Sequence, residues 1–394
     1  MPAIIVVGAG INGVTAALEL KRRGHKVVLI DPGPLPHLLA ASTDISKAVR
    51  AAYGADEEYT ALAERSISLW RKWNEDFGAE LYHEIGFLFM RRRPLEPGDF
   101  EYESVKVLER LGHKVERIDS AQLRNRFPAW NAQLYQDGFF EFAAGYAESG
   151  RVVALLISLA KALGVELREG SRFAGLDEAD DRIKGVLLHD GQRIQADIVV
   201  MAVGAWTPLV LPFARNFFRA SGQPVFHLKP GNPELFVAKT FPVFGADIST
   251  TGYYGFPVGR EGVVKIANHG PGREMSPEST NRVVTAEEEN SLREFLSSTF
   301  PSLADATIVD TRICFYCDTH DGNFWIAPDP ERPGLIVAAG DNGHGFKFAP
   351  VLGELIADAV EGRVNPLSQK FRWRPEVRPG AEKEAARCAQ NDAI

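Results

Sequence analysis

Cysteine is scarce in this chain, which carries three cysteines among 394 residues. So few thiols cannot build a disulfide framework, and we therefore expect a reducing, cytoplasmic setting. No run of 18 apolar residues occurs, which argues against a membrane-spanning helix. The formal net charge of −8 argues against a general nucleic-acid binder, because such a protein needs a basic face to meet phosphates. These absences predict a soluble protein with no membrane or nucleic-acid partner.

The order of strand and helix patterns predicts two interleaved domains. A chain of 394 residues is too long for one ordinary core. Alternating strands and helices occur at the beginning, in the middle and at the end of the sequence, which predicts a parallel sheet. Residues 216–270 are richer in Phe, Pro and Gly, and this composition favours antiparallel strands and turns. We therefore expect a discontinuous nucleotide-binding domain with a second domain inserted between its parts.

The domain boundaries follow from the same pattern. Residues 1–81, 146–215 and 321–375 are predicted to form the nucleotide-binding domain, residues 82–145 and 216–320 the substrate domain, and residues 376–394 a C-terminal tail. The tail is charged and poor in apolar residues, so we expect it to be loosely held.

A glycine motif follows the first predicted strand and opens the first predicted helix. In Gly8-Ala9-Gly10-Ile11-Asn12-Gly13, the three glycines permit a tight turn, a close approach to a pyrophosphate, and close helix–strand packing. Asp31 ends the second predicted strand, where a carboxylate can accept hydrogen bonds from ribose hydroxyls. The context predicts nucleotide binding, although the motif alone does not choose FAD over NAD.

The pair Cys314 and Cys317 is open to several interpretations. A zinc site needs a second pair of ligands, and the remaining cysteine is Cys388 in the predicted tail, so no metal site is expected. The flanking residues favour a strand, on which residues three apart point to opposite faces. The residues alone therefore favour two buried structural cysteines over a redox pair.

Three basic residues are candidates for anion binding. Lys347 lies among aromatic residues in a glycine-rich loop after a buried strand, and a lysine held there invites an anionic partner. Lys47 and Arg50 would share one face if their segment were helical. That pair is either a solvated basic surface or a clamp for a carboxylate, which the planar guanidinium can bind with two hydrogen bonds.

A predicted strand carries Lys265 and places His269 on the same side, since alternate residues of a strand face one way. Tyr254 precedes them in an aromatic segment. The residues alone leave an exposed strand face as the simpler interpretation of this group.

Together these motifs resemble the FAD-dependent amine oxidase family of monomeric sarcosine oxidase, N-methyltryptophan oxidase, pipecolate oxidase and fructosyl amino acid oxidase. The resemblance extends to about residue 370 and is most specific in residues 312–316, 318–324 and 338–348. It implies an α/β fold (α+β overall) with two domains: a glutathione-reductase-like FAD-binding Rossmann domain and an inserted antiparallel-sheet substrate domain.

The resemblance also assigns expected roles. Cys314 matches the cysteine that holds the flavin covalently, and Lys265 matches the lysine that promotes the reaction with oxygen. The residues expected to contact FAD are Gly8, Gly10, Gly13, Asp31, Ser42, Thr43, Gly204, Trp206, Cys314, Gly343, Gly345 and Lys347. Those expected to bind substrate are Lys47, Arg50, Tyr254, Tyr316 and Lys347, and those expected to act in catalysis are Lys265, His269 and Tyr254.

The reaction that the resemblance implies is oxidation of the C–N bond of a secondary amino acid to an imine, with O2 reduced to H2O2 and the imine hydrolysed. Alternatives are a flavin dehydrogenase that passes electrons to a partner acceptor, an NAD-dependent enzyme and a non-catalytic relative. The chain departs from sarcosine oxidase at Asp44 and Lys47, which look more like fructosyl amino acid oxidases, yet it has His269 where fungal fructosyl enzymes carry an acid. The expected partners are a small secondary amino acid and O2, and a monomer or weak homo-oligomer is expected.

Overall fold

The structure is a computed structural model that describes residues 1–378 and 386–388. Its α-helices are α1 (Ile11–Arg22), α2 (Glu57–Phe77), α3 (Phe100–Arg110), α4 (Ser120–Arg126), α5 (Ser149–Ala162), α6 (Thr207–Val210), α7 (Ile248–Thr251), α8 (Ala286–Thr299) and α9 (Ala349–Glu361). Its strands are β1 (Ala3–Val7), β2 (Lys26–Asp31), β3 (Lys47–Val49), β4 (Tyr82–His83), β5 (Phe87–Arg91), β6 (Val115–Asp119), β7 (Asp137–Glu141), β8 (Gly145–Ala147), β9 (Glu166–Glu169), β10 (Phe173–Ala179), β11 (Arg182–Leu188), β12 (Arg193–Gln195), β13 (Ile198–Met201), β14 (Phe218–Lys229), β15 (Val243–Ala246), β16 (Tyr253–Phe256), β17 (Val264–Asn268), β18 (Arg273–Glu274), β19 (Thr307–Thr319), β20 (Trp325–Pro328) and β21 (Leu335–Ala339).

The glycine motif lies at the carboxyl ends of the strands of a six-stranded sheet. Its strand order is β20-β21-β13-β1-β2-β9, and every pair except β20–β21 is parallel. Val7 at the end of β1 pairs with Ile30 on one side and Met201 on the other. Because parallel strands end at the same edge, the turn after β1 lies beside the residues that follow β2 and β13. The register thus brings Gly8, Asp31 and the 202–206 segment together.

Helix α1 is held against the sheet and against α9. Its buried side is made of small and aliphatic residues, and a Cβ added at Gly353 of α9 would lie 2.4 Å from the Thr15 oxygen. Glycine therefore permits the two helices to approach closely. Arg23, directly after α1, donates to Asp358 and Glu361 at 2.8 Å each, which ties the far ends of the helices together. This packing fixes the direction in which the start of α1 points.

The second large sheet has nine strands, ordered β18-β14-β17-β16-β15-β5-β7-β6, with β19 pairing along β14. Apart from the parallel pair β5–β15, its neighbours are antiparallel. A phenylalanine-rich core packs against this sheet and includes Phe226, Phe244, Phe295 and Phe300. The sheet positions β16, β17 and β19, which carry the candidate site residues. Two smaller antiparallel sheets consist of β10-β11-β12 and β3-β8-β4.

The predicted α/β fold, with a nucleotide-binding sheet and an inserted antiparallel sheet, is confirmed. Segments 3–31, 166–169, 198–201 and 325–339 supply the strands of the first sheet, while the domain boundaries themselves stay a prediction. Within the described ranges, no helix combines the length and apolar character that a membrane crossing requires.

The structure decides two points that the sequence raised. Lys47 lies in strand β3, which pairs with β8 from a distant part of the chain, so Lys47 and Arg50 do not share a helical face. The predicted loose tail is wrong for residues 386–388, which are buried: Arg387 is 8% and Cys388 is 6% exposed. Residues 376–378 of that predicted tail are also described, whereas residues 379–385 and 389–394 lie outside the described residues.

Candidate active site

A cavity of about 1230 Å³ lies at the carboxyl edge of the six-stranded sheet. The predicted cofactor residues that line it are Gly8, Gly10, Asp31, Ser42, Gly204 and Trp206. Such an edge is where open α/β sheets bind ligands, because helix starts and strand ends meet there. The structure therefore brings six of the predicted cofactor residues to one large cavity.

The glycine turn is shaped for close contact with a phosphate group. Gly8 has φ +97°, and a Cβ at Gly13 would lie 1.7 Å from the Gly8 oxygen, so neither position accepts a side chain without a shift. The Ser42 hydroxyl accepts a hydrogen bond from the Ile11 N–H at 3.0 Å, at the start of α1. The helix start thus directs backbone N–H groups and a partial positive charge towards the cavity.

Asp31 holds the turn in place and faces the cavity. Its carboxylate accepts hydrogen bonds from the backbone N–H of Ala9 at 2.8 Å and of Gly33 at 3.0 Å. The His37 Nδ1 lies 3.3 Å from Oδ1, whereas Oδ2 has a second lone pair that can accept from a ribose hydroxyl. The turn, the helix start and this carboxylate together fit the pyrophosphate and ribose of a dinucleotide such as FAD.

Sequence reasoning missed much of the cavity wall. Residues 171–176, 178, 277–280 and 282 also line the cavity, as do Phe315 and Asp341. The Arg282 guanidinium lies 5.4 Å from the Trp206 ring centre and 4.7 Å from that of Phe315. These segments carry no local motif, and their place in the wall arises from long-range packing.

Six predicted cofactor residues lie outside the cavity lining: Gly13, Thr43, Cys314, Gly343, Gly345 and Lys347. The Thr43 hydroxyl donates within its own loop, at 2.8 Å to the His37 oxygen. Gly343 lies against β19, where an added Cβ would be 2.2 Å from the Tyr316 ring. Gly343 therefore permits the loop after β21 to press onto the strand that carries Cys314 and Tyr316.

Arg50 and Lys347 converge on the same ring. The Arg50 guanidinium lies 4.7 Å from the Tyr53 ring centre, and the Lys347 Nζ donates to the Tyr53 hydroxyl at 2.9 Å. Lys347 also donates to the His344 oxygen at 2.9 Å. Both cations are buried, at 5% and 4% exposure. The structure thus brings together the two residues expected to bind a substrate carboxylate.

Glu141 is a buried carboxyl near this pair that sequence reasoning missed. It accepts hydrogen bonds from the backbone N–H groups of Ala51 at 2.6 Å and Ala52 at 3.3 Å. Burial raises the pKa of Glu141 to about 7, although these bonds and the Arg50 charge act to lower it. No motif surrounds Glu141 in its strand, so nothing in the sequence indicated that this carboxyl lies close to Arg50.

A second cationic group surrounds Asp44. The Lys265 Nζ donates to Asp44 at 2.7 Å and to the Ser46 oxygen at 2.6 Å, and the Lys47 Nζ lies 3.3 Å from the same carboxylate. Burial lowers the pKa of Lys265 to about 8, although Asp44 acts to raise it. Burial also acts against the charged form of Asp44, but Lys265 and Lys47 hold its pKa well below the usual range.

Asp341 is a buried carboxyl in the cavity wall that sequence reasoning missed. It follows β21, at the start of the loop that carries Lys347. Burial raises the pKa of Asp341 to about 6, and the Asp318 carboxylate also acts to raise it, while Lys47 and Lys347 act to lower it.

The predicted substrate-side residues also come together. The Tyr316 hydroxyl lies 3.3 Å from His269 Nδ1, and the rings of Tyr254 and His269 are 6.4 Å apart. Burial raises the pKa of Tyr254 to about 12 and that of Tyr316 well above its usual value. Both tyrosines are therefore neutral hydrogen-bonding groups near pH 7.

The two cysteines of β19 have different surroundings. Cys314 is buried with its sulfur 3.4 Å from the Lys47 Nζ, whereas Cys317 packs in the core of the six-stranded sheet. Burial raises the pKa of the Cys317 thiol. Cys314 therefore lies beside the cationic group around Asp44, whereas Cys317 lies in an apolar core. The two sulfurs are on opposite sides of the strand, as its alternation predicts.

Comparisons with known proteins show which family the chain resembles. A family model described as FAD dependent oxidoreductase matches residues 3–359. The chain is 28% identical to L-saccharopine oxidase of Schizosaccharomyces pombe, over 95% of this chain and 93% of that protein. It is also 28% identical to monomeric sarcosine oxidase of a Bacillus species, over 91% and 92% of the two chains. The crystal structure of fructosamine oxidase (Amadoriase II) from Aspergillus fumigatus superposes with a TM-score of 0.85 at 26% identity, covering 99% of this chain and 94% of that one. The predicted resemblance to sarcosine and fructosyl amino acid oxidases is confirmed.

Proposed function

Since the chain belongs to the family of FAD dependent oxidoreductases, we propose that it oxidises the C–N bond of a secondary amino acid to an imine. O2 is reduced to H2O2 and the imine is hydrolysed. Bound FAD would supply the acceptor for the hydride and the donor of electrons to oxygen, while the protein positions the reactants. The residues that would hold FAD are those of the glycine turn, Asp31, Ser42, Gly204 and Trp206.

The observation that carries this proposal is the pair of buried cations around Tyr53. Arg50 donates to the Ala52 oxygen, and Lys347 donates to the Tyr53 hydroxyl and the His344 oxygen. Both side chains are buried, so they place two positive charges beside the Tyr53 ring in a region that is shielded from water. Charge-assisted hydrogen bonds to a carboxylate are strong in such surroundings. A substrate carboxylate bound there would fix the amine end, and a fixed orientation supplies much of the rate of a two-reactant step.

The amine must be neutral to lose a hydride equivalent. Arg50, Lys347 and Lys47 place positive charge around the site, and nearby cations disfavour the ammonium form of a substrate. The neutral Tyr254 and Tyr316, together with His269, are positioned to orient the amine through hydrogen bonds. The cations thus act on the protonation state of the substrate, and the tyrosines and His269 act on its position.

Lys265 is proposed to serve the oxygen reaction. Its ammonium is fixed by Asp44 and the Ser46 oxygen, so it needs little rearrangement to face a developing anion. A preorganised positive charge stabilises the reduced, negatively charged oxygen species. Asp44 acts as a positioning residue for this ammonium.

We propose that the FAD is attached covalently through Cys314, because this thiol has the ammonium of Lys47 beside it. Acid-precipitated protein is then expected to keep its yellow colour in the pellet, and Cys314→Ala is expected to release the flavin. Cys317→Ala is the matched control, since the Cys317 thiol lies on the other side of the strand, and this variant should retain the colour. Free flavin in the supernatant of the native enzyme would contradict the covalent link.

The activity is tested by measuring H2O2 with a panel of secondary amino acids under air. The panel comprises sarcosine, N-methyl-L-tryptophan, L-saccharopine, a cyclic amino acid and a fructosyl amino acid. Peroxide formed in a one-to-one ratio with oxidised amine is expected for at least one of them. Flavin that is bleached by an amine but reacts slowly with O2 would instead identify a dehydrogenase that uses a partner acceptor.

The setting is proposed from the composition. With three cysteines and a net charge of −8, we propose a cytoplasmic enzyme that works on small molecules without a membrane or nucleic-acid partner, as a monomer or weak homo-oligomer.

A further inference from the structure

Residues 386–388 form a short segment that is distant in sequence from the two large sheets but packs onto the substrate side of the site. The Arg387 guanidinium forms a bidentate ion pair with Asp318, at 2.5 and 2.9 Å, and both side chains are buried. Its Nε also donates to the Gly270 oxygen at 3.1 Å. Bidentate pairs fix orientation as well as distance, so this segment is held firmly.

The same segment contacts the predicted substrate residues directly. The Cys388 N–H donates to the His269 oxygen at 3.1 Å, and its thiol donates to the Thr250 oxygen at 3.0 Å. The Arg387 guanidinium lies 5.4 Å from the Tyr316 ring centre. The segment therefore touches the backbone of one proposed substrate residue and the ring of another.

Asp318, the partner of Arg387, lies close to Tyr316 on the same strand. Asp318 follows Tyr316 at the alternate position of β19, so both side chains face the same way. Asp318 also accepts from the Ser221 hydroxyl at 2.5 Å, which fixes the carboxylate that holds Arg387. The ion pair thus sets where the segment lies relative to Tyr316 and His269.

We propose that residues 386–388 form a wall beside His269 and Tyr316, held in place by the Arg387–Asp318 ion pair, and that this wall determines how large an amine the enzyme accepts. The proposal rests on the proposed function, because it takes His269 and Tyr316 as substrate residues. Arg387 and Asp318 act as specificity-determining residues through the position of the wall.

Cys388 provides a readout that does not depend on turnover. In the native holoenzyme this buried thiol is expected to react slowly with iodoacetamide, as followed by mass spectrometry of its peptide. Arg387→Met should increase its labelling rate at least about tenfold, the factor expected from loss of one charge-assisted hydrogen bond. Arg219→Met is the matched control, because Arg219 lies 3.4 Å from the same carboxylate but is 39% exposed, and its loss should leave the rate unchanged.

The substrate readout is the ratio of kcat/KM for N-methyl-L-tryptophan to that for sarcosine. This ratio should rise about tenfold or more in Arg387→Met, mainly through a lower KM for the bulky amine, while Arg219→Met keeps the native ratio. The double variant Arg387→Met/Asp318→Asn carries no unpaired buried charge from this pair, so it tests the wall even if the single variant folds poorly. It should match the single variant in both readouts.

An unchanged rate of Cys388 labelling in Arg387→Met and in the double variant would contradict the proposal that the ion pair holds the wall in place. Faster labelling with an unchanged substrate ratio would overturn its role in specificity. If no amine in the panel is oxidised, the proposed function fails while the labelling result still decides whether the wall exists.

Discussion

Replacement of Lys265 by methionine is expected to slow the reaction of the reduced enzyme with O2 by about 100-fold or more. The ammonium of Lys265 is fixed between Asp44 and the Ser46 oxygen, so it presents a positive charge without rearrangement. Methionine has a similar length and removes the charge. Anaerobic reduction of the flavin by amine should change much less, since that step relies on Arg50, Lys347 and the tyrosines.

Stopped-flow absorbance separates the two half-reactions. Flavin bleaching by amine is followed without oxygen, and the return of the yellow colour is followed after mixing with O2. Lys161→Met is the control, because Lys161 is an exposed lysine of α5 and its loss should alter neither rate. A loss of the same size in both half-reactions would exclude a specific role of Lys265 in the oxygen step.

The pKa of Lys265 predicts how the rate of the oxygen reaction depends on pH. Burial lowers the pKa of Lys265 to about 8, so the ammonium is present below that pH and is lost as the pH rises through it. The oxygen reaction should therefore be fast on the acidic side of this value and slow on the alkaline side. The Lys265→Met enzyme should lack this step, and a step that persists in the variant would belong to another group.

The glycine turn and Asp31 could be predicted from the sequence because their geometry is local. The spacing of Gly8 and Gly13 follows directly from the need to pack a helix start against a strand end. The cavity walls at residues 171–176, 178, 277–280 and 282 could not be predicted, since they reach the cavity through pairing and packing with distant segments.

The segment from Lys47 to Arg50 shows a different limit. The spacing of Lys47 and Arg50 gives them a shared face only in a helix, and pairing of β3 with β8 makes the segment at Lys47 a strand. Arg50 and Lys347 nevertheless both contact Tyr53, which follows Arg50 in the segment after β3. Their meeting point is set by this contact and not by a sequence period. Long-range strand pairing overrides a short local pattern.

Composition also misled at residues 386–388. The surrounding stretch is charged and has few apolar residues, which usually indicates a loose tail. The bidentate ion pair with Asp318 and the hydrogen bonds of Arg387 and Cys388 to backbone oxygens hold the segment, and average composition does not reveal such specific contacts.

Replacement of Lys347 by methionine is expected to lower kcat/KM for amino acid substrates by about 100-fold or more, because one partner of a buried charge-assisted contact is lost. The Lys347 Nζ is held by the Tyr53 hydroxyl and the His344 oxygen, so its direction is fixed before substrate arrives. Most of the loss should lie in KM, since the carboxylate contact contributes to binding in both the ground state and the transition state.

A simple carboxylic acid that perturbs the flavin spectrum tests the contact without turnover, and its Kd should rise by a similar factor in Lys347→Met. An amine of the same size with a neutral amide in place of the carboxylate should lose little between the native enzyme and the variant. Arg50→Lys keeps the charge but removes the planar fork, so its effect should be intermediate. If Lys347→Met bound the carboxylic acid as tightly as the native enzyme, the substrate carboxylate would have to be bound elsewhere.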